Sequence, residues 1–255
     1  MTVGISGALS FLTIVGRART PAASQQIWFP VVGAAIGATV GLVYWGAAQW
    51  WPLPVAAALA VVADLCITGL LHIDGLADSA DGLLPHLDRA RRLEVMSAPD
   101  TGAFALAVVA MTILLRWAGF VGSNIGGAQV VAATAGLWAW SRGLMALTLR
   151  LGTYARPGGG LASVFGGRSS QRDTQRDTQR GTYVIAVLTA GLGLGGLMLG
   201  RGVVAGAIVG AVALAAGVGV LWLARRRLGG YTGDVLGAAG VMLETVGLIA
   251  IAARP

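Results

Sequence analysis

Residues 27–50 read IWFPVVGAAIGATVGLVYWGAAQW, a run without one charged side chain. As a helix it would extend about 36 Å, enough to cross a hydrocarbon layer of about 30 Å. Six further runs of the same character follow at 54–71, 102–122, 127–149, 183–200, 202–224 and 235–252. In lipid, segments of this length satisfy their own backbone groups only as helices. The whole chain agrees: of 255 residues, 56% are hydrophobic and 11% charged, with a mean hydropathy of +0.75. An ordinary soluble domain carries roughly 25% charged residues and is excluded. The predicted fold is all-α, one integral membrane domain over 1–255 with about seven transmembrane helices. Glycines at Gly191, Gly193, Gly195, Gly196, Gly206 and Gly210 predict helices packed backbone to backbone.

Every one of the 18 basic residues is Arg, giving a net charge of +7 that does not titrate. Such a surface suits phosphate groups and anionic lipid, and no nucleic acid partner is expected. With the N-terminus inside, fourteen arginines fall on the cytoplasmic side and two, Arg201 and Arg254, outside, while Arg116 and Arg142 lie within spans. Arginine accumulates in cytoplasmic loops, so the predicted topology is N-terminus cytoplasmic and C-terminus outside, in the cell membrane. Arg17 and Arg19 follow the first apolar stretch instead of preceding it, which is the reverse of a cleaved signal. Residues 1–19 therefore read as an interfacial or re-entrant segment. Cys66 has no internal partner for a disulfide and reads as a small buried hydrophobe.

Three cytoplasmic connections, 71–101, 150–182 and 225–234, are long enough to carry chemistry. The middle one contains a Gln-Arg-Asp-Thr repeat, and 168–182 is predicted to be a polar linker or frayed helix.

The densest acidic group is His72-Ile73-Asp74-Gly75-Leu76-Ala77-Asp78-Ser79-Ala80-Asp81-Gly82. On a helix, Asp74, Asp78 and Asp81 stand at about 0°, 40° and −20°, on one face. Three carboxylates so placed repel one another unless a cation lies among them, and oxygen donors suit Mg²⁺ or Mn²⁺. His72 is a conceivable general base but points about 160° away from that face. With His86 it makes too few ligands for zinc.

Ionisable groups inside a span normally face a partner or a polar cavity. Arg142 and Glu244 fall at the depth of the aspartates and are read as functional. Asp64 lies deeper, without a partner that the sequence names, and Arg116 is expected to snorkel toward the outside. Two glycine-rich loops beside Arg, around Arg156 and over Gly229-Gly230-Tyr231-Thr232-Gly233-Asp234, are candidate phosphate cradles, the second opening a helix N-terminus. Together these residues are the inventory of a metal-dependent phosphotransferase.

The stretch from Gly69 to Gly82 resembles the signature of the adenosylcobinamide-GDP ribazoletransferase (cobalamin synthase) family. Arg91-Arg92-Leu93-Glu94-Val95-Met96, Ser141-Arg142, Tyr154-Ala155-Arg156 and 229–238 with Glu244 following extend the resemblance over about 11–248. One departure is Ala98, where family members carry an acidic residue and this chain has Asp100 nearby. The resemblance implies the last joining step of cobalamin assembly. The 5′-hydroxyl of α-ribazole or its phosphate attacks the cobinamide-side phosphorus of adenosylcobinamide-GDP, GMP leaves, and Mg²⁺ assists. It implies that Asp74, Asp78 and Asp81 hold metal, with Asp81 near the attacking hydroxyl. Arg142, Arg156 and the 229–234 loop would steady phosphates, and Glu244 would orient metal or a basic partner. Self-association and assembly with other cobalamin-biosynthesis proteins stay open.

Two other classes share part of this inventory. A CDP-alcohol phosphotransferase carries Asp-Gly-x-x-Ala-Arg, whereas here Ala77 is only two positions after Gly75 and Asp78 succeeds it. A transporter would place its charges near the midplane, and these crowd the inner face.

Overall fold

The computed structural model describes residues 2–17, 20–156 and 173–253. A short N-terminal helix α1 (Thr2–Leu12) and a 3₁₀ turn (Ala23–Trp28) lead into α2 (Phe29–Ala47). Then come α3 (Leu53–Ile67), α4 (Leu71–Leu83), α5 (Arg89–Val95), α6 (Ala103–Val121) and α7 (Ala128–Leu151). The last three are α8 (Asp173–Arg201), α9 (Val203–Leu228) and α10 (Gly233–Ala252). Among the described residues the pairing outside helices is one parallel bridge, Tyr154 to Tyr231.

Among the described residues six segments are long and apolar enough to cross a membrane: α2 with its leading 3₁₀ turn, α6, α7, most of α8, α9 and α10. The seventh expected span corresponds to α3. It has 15 residues, about 22 Å, short of a full crossing, and reaches that length only together with α4, from which it is bent by 89°. The break lies at Gly69 and Leu70, both left-handed, with φ of 59° and 62°. A side chain at Gly69 would also press into Ile14 of the N-terminal segment. The stretch 71–101, expected as a connection, is therefore largely helical, and α4 is a separate limb that does not itself span.

Small residues let the spans touch. Gly33, Gly37 and Gly41 form one stripe of α2, and a Cβ at each would fall 2.3 to 2.4 Å from Trp138 or Thr134 of α7. Their absence of side chains brings the two backbones together, the packing mode expected in lipid. Outward faces are apolar: Leu106, Leu114, Leu199 and Val204 are each more than 60% exposed, as in a helix wall that meets lipid. Cys66 shares that exposure, which corrects its reading as a buried hydrophobe. The repeat residues from Asp173 onward open α8; the earlier part of the 168–182 segment lies outside the described residues.

Candidate active site

The aspartates do lie along one helix, α4, but they do not share one environment. Asp74 is exposed, Asp78 half-buried and Asp81 buried. Asp81 accepts the backbone N–H of Gly102 at 2.6 Å and that of Ala105 at 3.0 Å. It thus caps the start of α6, whose first amides have no partner within their own helix. Both of its oxygens are engaged there, so the expected convergence of three carboxylates on one face is not realised.

A different carboxylate approaches instead. Gly75 packs against the start of α10, where an added Cβ would stand 2.8 Å from the Asp234 carbonyl oxygen. That contact sets Asp234 beside Asp74 and Asp78. Burial, then the charges of Asp234 and Asp74, push the Asp78 carboxyl up to about 6. Arg156 is the cation at this point: it donates to Asp234 Oδ2 at 2.9 Å and to the Met96 carbonyl at 3.1 Å.

Asp74, Arg156, Gly233 and Asp234 line one end of a cavity of about 400 Å³. His72 is in the same wall, although on α4 it stands about 160° from Asp74. Only 6% of His72 is exposed, and its Nδ1 has no hydrogen-bond partner. Burial, then the charges of Arg142 and Arg116, hold the imidazole well below its usual pKa, hence neutral at pH 7. The remaining wall comes from Ser10 and Phe11 of α1, Phe29, Leu71, Met145, Leu149, Tyr154, Leu236 and Gly237.

Within the 229–234 loop the roles divide. Gly229 ends α9 at φ 77°. Gly230 packs on Thr153, where a side chain would overlap the carbonyl. Thr232 caps α10 by accepting Val235 N–H and is fully buried. Of the loop, only Gly233 and Asp234 reach the cavity, offering it a helix N-terminus.

Arg142 and Glu244 are buried in a four-charge network. Glu244 accepts from both Arg116 and Arg142, and Arg116 also pairs with Asp64 at 2.5 Å. Trp138 Nε1 donates to Asp64 at 2.8 Å, and the Arg116 guanidinium lies 5.4 Å from the Trp138 ring centre. Two positive and two negative groups cancel, which is how charge survives inside a membrane domain. Arg116 is 2% exposed; the expectation that it snorkels outward is corrected, because Asp64 and Glu244 hold it within the bundle. Both Glu244 oxygens face guanidinium groups, so Glu244 stands with the arginines and apart from the aspartates.

Among the described residues no three His, Cys, Asp or Glu side chains converge closely enough to cage a metal. The donors Asp74 and Asp78 nevertheless suit Mg²⁺, a hard ion usually held by one or two carboxylates together with substrate phosphates.

A helical membrane domain with a carboxylate, arginine and helix-terminus cavity defines a class of membrane-embedded group-transfer enzyme. Residues 4–252 match the family described as cobalamin-5-phosphate synthase, and the chain belongs to that family. It is similar to adenosylcobinamide-GDP ribazoletransferase of Leptothrix cholodnii, 38% identical over 85% of this chain and 80% of the relative. The Escherichia coli protein of that name is 33% identical over 88% and 86%, and that of Chlorobium phaeovibrioides 31% identical over 96% and 94%. No solved structure matches. The chain is thus a transferase of the final joining step of cobalamin biosynthesis.

Proposed function

We propose that the protein joins adenosylcobinamide-GDP to α-ribazole, or to its 5′-phosphate, with release of GMP, at the cavity between α4 and α10. The observation that carries this reading is the meeting of Asp74 and Asp234 with Arg156 and the α10 N-terminus in one cavity wall, with Asp78 a turn along α4 and within the field of all three. That wall combines oxygen donors for a cation with donors for phosphate oxygens, the requirements of transfer from a diphosphate.

Asp74 and Asp78 would hold Mg²⁺, whose chemistry here is to neutralise charge on the diphosphate. Arg156 and the Gly233 amide steady phosphate oxygens. The 5′-hydroxyl oxygen forms a new bond to the cobinamide-side phosphorus, and the bridging bond to GMP breaks. The hydroxyl proton passes to the neutral His72 imidazole, which accepts it only as the new bond forms. Asp81 acts on position: by capping α6 it seats that helix against α4. Arg142 and Glu244 act with Arg116 and Asp64 in the charge network behind His72.

The site is proposed to face the cytoplasm from the cell membrane. Arg89 bonds the Ala155 carbonyl, Arg92 the carbonyls of Gly82 and Leu83, and Arg227 that of Leu83, so the basic residues cluster at the cavity end, as cytoplasmic loops require. The test is GMP release by detergent-purified protein from both substrates, with Mg²⁺ or with a chelator. The reading expects release only with the divalent cation; equal release in chelator would overturn the metal assignment, and none under either condition would overturn the reaction.

A further inference from the structure

Besides its charged groups the cavity wall is largely apolar, with Phe11, Phe29, Leu71, Met145, Leu149 and Leu236. The rings of Phe11 and Phe29 lie 5.7 Å apart at 19°, close to parallel. Ser10, in the same wall, turns its hydroxyl to the Gly7 carbonyl at 3.2 Å. The volume of about 400 Å³ lies at the small end of the roughly 300–1,000 Å³ that encloses a compact organic ligand.

We propose that this cavity takes the nucleoside acceptor and, of the donor, only its diphosphate: the apolar bicyclic base of the acceptor lies against Phe11, Phe29 and Met145, its ribose hydroxyl turns to His72 and Asp74, and the corrin and guanosine of the donor lie outside. The inference rests on the function proposed above and deepens it by dividing the two substrates. Size is the first argument, because a corrin macrocycle bearing a nucleotide far exceeds this volume whereas a nucleoside fits. Chemistry is the second. A dimethylbenzimidazole base has no exocyclic amine or carbonyl and a single ring nitrogen that accepts a hydrogen bond, so a largely apolar wall suits it. Guanine in the same place would leave several polar groups unpaired. Met145 adds a polarisable sulfur suited to an aromatic face. The same cavity also holds, in His72, Asp74 and Arg156, the groups that a reacting hydroxyl needs.

A consequence is that α1, an N-terminal helix that crosses nothing, builds part of the substrate site through Phe11. It is held there by the 3₁₀ turn and α2, against which it packs.

The test is a two-substrate kinetic comparison of wild type and Phe11→Ala in detergent. Loss of one aromatic contact predicts that KM for α-ribazole rises about tenfold while KM for adenosylcobinamide-GDP stays within about twofold. An equal rise in both, a rise for the donor alone, or no change in either would overturn the proposal. A second variant needs neither turnover nor an intact aromatic wall. In a Cys66→Ser background, α-ribazole should slow maleimide labelling of Phe11→Cys and adenosylcobinamide-GDP should not; protection by the donor alone, or by neither, would overturn it. Wild-type protein that releases no GMP would count against the reaction, while the labelling result would still decide whether the cavity takes a benzimidazole nucleoside.

Discussion

Arg156 donates to Asp234 at 2.9 Å, tying the chain that leaves α7 to the first turn of α10. The same guanidinium reaches the Met96 carbonyl, so one planar fork holds three segments at the cavity mouth. If Arg156 steadies the transferring phosphate as proposed, replacing it removes a charged donor, a change typically worth about 10²–10³ in rate. Arg156→Ala should lower kcat/KM for GMP release by about that factor. Arg156→Lys should recover only a small part, because an ammonium lacks the planar pair of donors that matches phosphate oxygens. Steady-state kinetics of both variants checks this.

Asp78 gives the pH dependence. Its carboxyl is raised to about 6 from an ordinary 3.8, so the folded protein binds this proton more tightly than the unfolded chain. Stability from this group is therefore fully present below its unfolded value and is lost as pH rises through about 6. Without divalent cation, Asp78→Asn should melt higher than wild type at pH 8 and close to it at pH 4. With Mg²⁺ the order changes: the cation should raise the wild-type melting temperature at pH 8, have little effect below pH 6, and leave Asp78→Asn unmoved. Melting curves in detergent, with and without Mg²⁺, measure each arm.

The buried network predicts a non-additive pair. Asp64→Leu strands part of the Arg116 charge inside the bundle, and breaking a buried ion pair in this way costs about 3–5 kcal/mol. Arg116→Met strands Asp64 and half of Glu244 at a similar cost. The double variant removes both unpaired groups and leaves Arg142 with Glu244. It should be more stable than either single variant, as read by thermal unfolding in one detergent.

Asp81 separates a capping role from a chemical one. Asp81→Ala should lose about 0.5–2 kcal/mol of stability, the usual cost of a lost N-terminal cap, while Asp81→Ser, able to accept one amide, should lose less. Activity should follow stability across the two variants. Serine that restores the fold but none of the turnover would return Asp81 to the chemistry.

The membrane fold was legible because uncharged runs have one solution in lipid. The bend between α3 and α4 was hidden, since Gly69 and Leu70 look like any apolar pair until their positive φ is known. That Asp74 and Asp78 stand on one helix was readable from their spacing. Asp81 has the same spacing, but its partners, Gly102 and Ala105, lie some twenty residues away and carry no side-chain signal. Arg116 was misread although a signal existed: two arginines and two acids within spans already balance, and Asp64 needed a partner. The cavity's apolar wall was illegible because Phe11 and Phe29 are unremarkable in a chain that is 56% hydrophobic, and only the docking of α1 brings them together.

If the carboxylates of the cavity wall perform the transfer, Asp74, exposed there, is indispensable. Detergent-purified Asp74→Asn, shown to melt like wild type, would be mixed with adenosylcobinamide-GDP, α-ribazole and Mg²⁺, and GMP followed by chromatography. Wild type should release GMP and the variant none above background; release at the wild-type rate from folded Asp74→Asn would place the transfer elsewhere.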